Sequence, residues 1–425
     1  MKAYIIRSID DRCLLQRIAG GKGMAKSEKK KEKKYPKLFI FLNLLIGGFC
    51  GGFGVVSMME ASSDSLSTPP FMLMIGTILV YCFISLFLHI IIHEAGHLVF
   101  GLLSGYRFGS FRVGSFLFIR KDGRIKFKLF SLLGTGGQCL MLPPRKPLEQ
   151  TPFILYNLGG SVANLILSGV AILFLGLVDE PSVLNTFSLI FIITGIGTAL
   201  TNGIPMRRGL IANDGYNAIV LLKNRTARQC FINQLNTMGA FSEGKRLKDM
   251  PDEWFILPDD AEEYNNSLST GLGAMACSRA LDAGNYDLAR KIGWDLLNNK
   301  EGLIAVHRFG LQLEMLLCEI LGENRKEKRE ELQSKELNRF IKSAPAHMDV
   351  IRLRYAHALI NEKDEAKAEQ IITFFNKATR FYPYEGELAG MREFFTSMRE
   401  IHERRKAEAA QTEDEQPEPV FLNEG

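Results

Sequence analysis

The chain has 425 residues, 46% of them hydrophobic, and a formal net charge of +5, enough length for two or three domains. Neither this modest charge nor any basic run interleaved with aromatics marks a nucleic-acid binder, and no nucleic-acid partner is expected. Seven cysteines are scattered without CxxC or CxxxC spacing, which argues against a disulfide framework and a cysteine-based zinc site and fits reduced thiols in or facing the cytoplasm.

The first 23 residues lack the unbroken apolar core of a secretory signal. Met24 then opens "MAKSEKKKEKKYPK", a second possible start, and residues 1–37 read as a basic cytoplasmic segment. Four apolar stretches follow, at about 38–59, 71–103, 153–178 and 183–204. Each has the roughly 20 residues that a helix needs to cross the hydrocarbon of a bilayer. The segment 105–151 between spans two and three carries nine Lys or Arg residues, while 60–70 and 179–182 carry none. The positive-inside rule places both termini and the 105–151 segment in the cytoplasm, in a multi-pass protein of the cell membrane.

Within that segment, "SFRVGSFLFIRKDGRIKFKLF" holds Asp122-Gly123 between two β-like runs, a hairpin signal. Ile125, Phe127 and Leu129 alternate with Arg124, Lys126 and Lys128, so one face is oily and the other basic. The ribbon suits either the anionic inner leaflet or packing on the membrane domain. Its free edge is also expected to take up an extended segment by edge pairing, as strand addition does elsewhere.

Beyond residue 224 the sequence turns polar and helical in period. Residues 273–297 read as helix, turn at Gly284-Asn285, helix; residues 349–378 repeat the plan with a turn near Asn361. The pattern is loosely that of tetratricopeptide hairpins, giving a soluble helical domain over 224–405 that could hold a protein partner. Residues 406–425 have the composition of an acidic disordered tail. The fold class expected is an all-α polytopic membrane protein, with four transmembrane helices and a cytoplasmic β-hairpin. A soluble, tetratricopeptide-like C-terminal domain completes it, and 38–223 forms the membrane-embedded domain.

The second span ends in "HIIIHEAGHLVF", residues 89–100. His93 and His97 lie one turn apart on a helix, so their imidazoles can converge on one metal, and Glu94 can reach a water on that metal: the HExxH arrangement of two zinc ligands and a general base. Ionisable groups at membrane depth cost about 2.5–3.5 kcal/mol each and are functional by default. His89 is one turn too early to complete the set, some 12 Å from His97 along the axis; it reads as a hydrogen-bonded packing histidine, the alternative being a residue that supports the ligands or lines a pore. A third ligand is still required. Asp214, in "NGIPMRRGLIANDGYNAIVLL" just beyond span four, is either that ligand or the N-cap of the following helix.

The combination of "HEAGH", "GGSVANLIL" at 159–167 and "ANDG" at 212–215 resembles the site-2 proteases, intramembrane zinc metallopeptidases, over about residues 71–223. The resemblance implies that His93, His97 and Asp214 bind Zn2+ and that Glu94 is the general base. It also implies that Asn164 sits near the active centre, holding substrate or a developing oxyanion, unless it is a buried packing residue. Family members often have Asn, Pro three residues on, then Asp-Gly. Here Asn202 and Pro205 fit, but "MRRGLIAN" intervenes, and no PDZ-like segment is evident. The expected substrate is a transmembrane protein or membrane-bound peptide within the lipid bilayer. The competing expectation is a membrane scaffold that recruits partners through its helical domain, with a dispensable zinc site.

Overall fold

A computed structural model describes residues 36–63, 71–130, 136–177, 183–208, 211–258, 264, 266–299 and 302–414. The expected N-terminal basic segment thus lies outside the described residues up to residue 35, as do residues 415–425.

Four long helices, α1 (Pro36–Ser63), α2 (Phe71–Leu103), α3 (Ile154–Leu175) and α4 (Val183–Gly203), are long and apolar enough to cross a membrane. Their polarity is inverted relative to a water-soluble bundle. Phe83 and Leu173 are more than two-thirds exposed, whereas Ser85, His89, Asn164 and Thr186 have no exposure at all. Hydrocarbon offers no hydrogen-bond partner, so polar side chains in such helices turn inward and bond one another. Ser57 Oγ lies 2.9 Å from Thr186 Oγ1, and the Ser85 and Thr194 hydroxyls are likewise paired.

The second helix stops at "SGY". Gly105 takes φ 84°, and the Tyr106 N–H reaches back to the Gly101 carbonyl at 2.9 Å, a Schellman-type ending that needs a residue without Cβ strain. The chain then enters a sheet of β1 (Arg107–Val113), β2 (Phe116–Lys121), β3 (Arg124–Leu129) and β4 (Gly137–Leu142), antiparallel throughout in the order β3-β2-β1-β4. Asp122 and Gly123, at φ 52° and 72°, make the tight turn of β2–β3. The expected hairpin is therefore only the outer half of a four-stranded sheet. The other half escaped notice because "GQCLML" has no period-two alternation and pairs with a strand distant in sequence.

After α4 the chain makes a two-strand excursion, β5 (Arg207–Arg208) against β6 (Ile211–Ala212), and enters α5 (Asp214–Lys223) and α6 (Arg225–Ser242). Helix α6 crosses the sheet, with Gly239 against Leu142 and Phe231 beside Tyr156. Then come α7 (Ser267–Asp282), α8 (Tyr286–Asn299), α9 (Ala305–Leu321), α10 (Lys326–Leu332), α11 (Lys335–Ser343) and α12 (Met348–Ala356). A π-helical turn (His357–Asn361) leads to α13 (Glu365–Ala378) and α14 (Glu385–Asp414). The helix–turn–helix segments expected at 273–297 and 349–378 fall on α7–α8, turning at Gly284 with φ 75°, and on α12–α13. Helix α14 runs on through Asp414, so residues 406–414, expected in the tail, are helical.

The helical part is fastened to the sheet. Leu117 and Ile119 of β2 are each 2% exposed and pack in one cluster with Tyr384, Phe241 and Phe130. Lys121 Nζ meets Glu385 Oε1 at 2.5 Å, and the Asp122 N–H donates to Glu243 Oε2 at 3.2 Å. The opposite face of the hairpin, Phe116, Phe118 and Phe127, stays exposed.

Candidate metal centre

His93 and His97 point the same way from α2, their rings edge to face with centroids 4.7 Å apart. Helix α3 makes room for them. The backbones of Gly96 and Gly159 touch, since a Cβ on Gly96 would fall 2.3 Å from the Gly159 carbonyl oxygen. One residue on, a Cβ on Gly160 would fall 2.5–2.7 Å from the His93 ring. The two adjacent glycines of "GGSVAN" thus let α3 approach α2 and leave a slot for the imidazole.

Asp214 arrives from the other side. The cap of α5 is Asn213, whose Oδ1 accepts the Tyr216 N–H at 2.9 Å, so the Asp214 carboxylate is free to face the histidines. Asn213 also closes the "MRRGLIAN" insertion at its base. It accepts the Met206 N–H at 2.9 Å and donates to the Thr201 and Ile204 carbonyls at 2.9 and 2.6 Å. The residues between Pro205 and Asp214 include the β5–β6 pair, and Asp214 faces the two histidines.

Asp214 Oδ2 lies 3.0 Å from His93 Nε2 and 3.4 Å from His97 Nε2, and the two Nε2 atoms are 3.2 Å apart. Zinc with arms of about 2.0–2.1 Å in a tetrahedron separates its donors by about 3.3 Å. The triangle fits one face of that figure, and two imidazoles with one carboxylate are a donor set zinc accepts. The three residues form a group that could hold a metal ion. The Nδ1–H of His97 donates to the Tyr156 carbonyl at 2.7 Å, which leaves its Nε2 as a lone pair facing the others. The other such group among the described residues, Glu365, His402 and Glu403, has both carboxylates exposed.

Glu94 is 8% exposed and shares with the triad a cavity of about 740 Å³. One wall of it is the start of β4. A Cβ on Gly137 would fall 2.5 Å from Glu94 Oε1, so the carboxyl group rests directly on that strand. No residue of β3 lines the cavity, whereas Gly137, Gln138 and Cys139 do. The sheet thus faces the cavity with its β4 edge, opposite the edge formed by the expected hairpin. Arg112, 1% exposed on β1, braces this wall by donating to the Gly114 and Gly137 carbonyls at 2.7 and 3.3 Å. Burial pulls its pKa down, against the upward pull of Glu94.

Asn164 stands behind His93 rather than on the cavity wall, wholly buried, with its amide 3.4 Å from His93 Nδ1. His89, also fully buried, is hydrogen-bonded and outside the triad. Sequence reasoning missed Asn213, Tyr156, Arg112 and Gly160. Of these only Asn213, a capping residue type directly before the Asp-Gly pair, left a readable signal.

Neither the curated proteins nor the solved structures compared contain a match to this chain. The family model of peptidase family M50 matches residues 81–386, from within α2 to the first turn of α14 and well over half the chain. The chain belongs to peptidase family M50, the site-2 protease family of metallopeptidases.

Proposed function

We propose that the protein is an intramembrane zinc metalloprotease hydrolysing peptide bonds in or beside transmembrane segments of membrane proteins or membrane-bound peptides. The observation that carries this reading is the near-equilateral triangle of His93, His97 and Asp214 donor atoms with Glu94 in the same cavity. His93, His97 and Asp214 would hold the zinc, which when bound would supply a Lewis acid and ease the deprotonation of water near neutral pH. Glu94 takes the proton of the attacking water and returns it to the leaving amine nitrogen. Its carboxyl group is held for this by contact with Gly137. A substrate helix hides its carbonyls in its own hydrogen bonds and must unwind locally; an extended stretch then fits between β4 and the triad, within the 740 Å³ cavity. The basic 105–151 segment supports an orientation with the sheet and both termini in the cytoplasm. The helical part, 224–405, serves in this reading as a repeat-like platform for a partner.

The test is Glu94→Gln in the full chain. Cleavage of a membrane-anchored reporter falls by about 10²–10⁴-fold, while zinc content and thermal stability persist. Unchanged cleavage would reject Glu94 as the general base, and a cellular phenotype that survives the loss of cleavage would favour the scaffold reading.

A further inference from the structure

The two histidines of the triad are held from behind by different groups. His97 has a backbone carbonyl, that of Tyr156, at its Nδ1. The group beside Nδ1 of His93 is the Asn164 side-chain amide, at 3.4 Å. The far end of that amide lies 3.1 Å from His89 Nδ1, and His89 Nε2 lies 2.8 Å from the Phe191 carbonyl oxygen. His89 and Asn164 have no exposure, and His93 has 8%. A continuous row of polar groups therefore runs from α4 through α2 and α3 to the triad.

Counting protons along the row fixes its sense. A carbonyl only accepts, so His89 Nε2 carries the hydrogen, and a neutral ring then presents a lone pair at Nδ1. A second proton there would make a buried cation at membrane depth, at about 2.5–3.5 kcal/mol. The lone pair needs a donor, and the amide's NH2 is the one within reach. The amide as placed turns Oδ1 towards His89. Exchanging its oxygen and nitrogen, which are nearly alike in size and move nothing else, removes the conflict. The Asn164 oxygen then accepts from His93 Nδ1–H, and His93 Nε2 is left as a lone pair facing Asp214 and His97. The opposite sense would put a hydrogen in the middle of the three donors and exclude a cation.

We propose that the Phe191 carbonyl, His89 and Asn164 form a proton-ordered relay that sets the tautomer and ring angle of His93, making His89 and Asn164 positioning residues for the metal. The proposal rests on the metal reading of the triad and assigns Asn164 to the ligand rather than to the substrate.

The experiment is zinc affinity of the full chain in lipid nanodiscs, by competition with a chromogenic chelator. Asn164→Leu, similar in volume but unable to bond, should weaken zinc about 10–100-fold, as loss of a ligand's hydrogen-bond partner does. Asn164→Asp, whose neutral carboxyl group donates to His89 through O–H and still accepts from His93, should keep affinity within about threefold of wild type on the same argument. His89→Phe should show a smaller loss in the Leu direction. A folded Asn164→Leu chain that binds zinc like wild type overturns the relay. So does a folded Asn164→Asp chain as weak as Asn164→Leu, because a merely structural role would not distinguish acceptor from hydrocarbon. If Asn164→Leu does not fold, His89→Phe decides: wild-type affinity there overturns the relay too. His93→Ala separates the two levels of argument. If it leaves zinc binding untouched, the metal reading itself fails; if it abolishes binding while the relay variants do not, only the relay fails.

Discussion

Replacing Gly160 by alanine puts the proposed site under a defined load. The new methyl would fall 2.5 Å from His93 Cε1, 2.6 Å from Nδ1 and 2.7 Å from Nε2, whereas ordinary contact begins at 3.4 Å. The ring must therefore recede by about 1 Å. Retreat of α3 instead would open the close Gly96–Gly159 backbone contact that joins it to α2. A displacement of that size is about a third of any edge of the donor triangle, which runs from 3.0 to 3.4 Å. Misplacement of about 1 Å at a reacting centre costs on the order of 10²-fold in rate, and overpacking a tight contact destabilises by about 1–3 kcal/mol. We expect zinc affinity to drop at least tenfold and reporter cleavage by about 10²-fold. Both are measurable on full-length protein in nanodiscs, by chelator titration and by gel assay. Gly169→Ala, on the same helix with nothing within 4 Å, is the control and should leave both unchanged. A folded Gly160→Ala protein with wild-type zinc affinity would refute the placement of His93 against α3.

Three further outcomes follow from the same coordinates. Asn213→Ala removes the cap of α5 and frees two carbonyls that it satisfies, so it should lower stability by about 2–4 kcal/mol and weaken zinc by loosening Asp214. A melting temperature equal to wild type would contradict that double role. Chelation should abolish cleavage and added zinc restore it; activity persisting in metal-free protein would remove the proposed chemistry. Glu314, buried in α9 and accepting from Ser278 Oγ at 2.5 Å, has its pKa pushed up to about 8, first by burial and then by Asp349. The folded chain keeps that proton between about pH 5 and 8 while the unfolded chain releases it. Stability is therefore highest below that window and is lost as pH rises through it, by about 1.4 kcal/mol per pH unit. Hydrogen exchange of α9 peptides, corrected for intrinsic rate, should show this slope in wild type and not in Glu314→Gln; an equal slope in both would exclude Glu314 as its source.

What the sequence made legible was local. The spans, the Asp122-Gly123 turn and the one-turn spacing of His93 and His97 are written in consecutive residues, and the structure has helices, a turn and a shared helical face at those places. The long-range contacts were not legible. Nothing in "GQCLML" announces that it will lie against Glu94, because its fit depends on Gly137 having no side chain. Arg112 counted only as one positive charge among nine, yet it is among the largest fully buried side chains of the described residues. The insertion before Asp214 looked like a threat to the site because sequence spacing cannot show that Asn213 ties both of its ends together.

The packing of β2 under Tyr384 and Phe241 has a practical corollary for dissecting the molecule. A chain cut after residue 223 would retain every residue of the donor triangle, yet it would strip the cover from Leu117 and Ile119 and unpair Lys121 from Glu385. Two greasy side chains would then open to water on a sheet that forms the wall beside Glu94. Such a minimal fragment is poorly suited to reporting the behaviour of the full chain, and the two halves are best handled together.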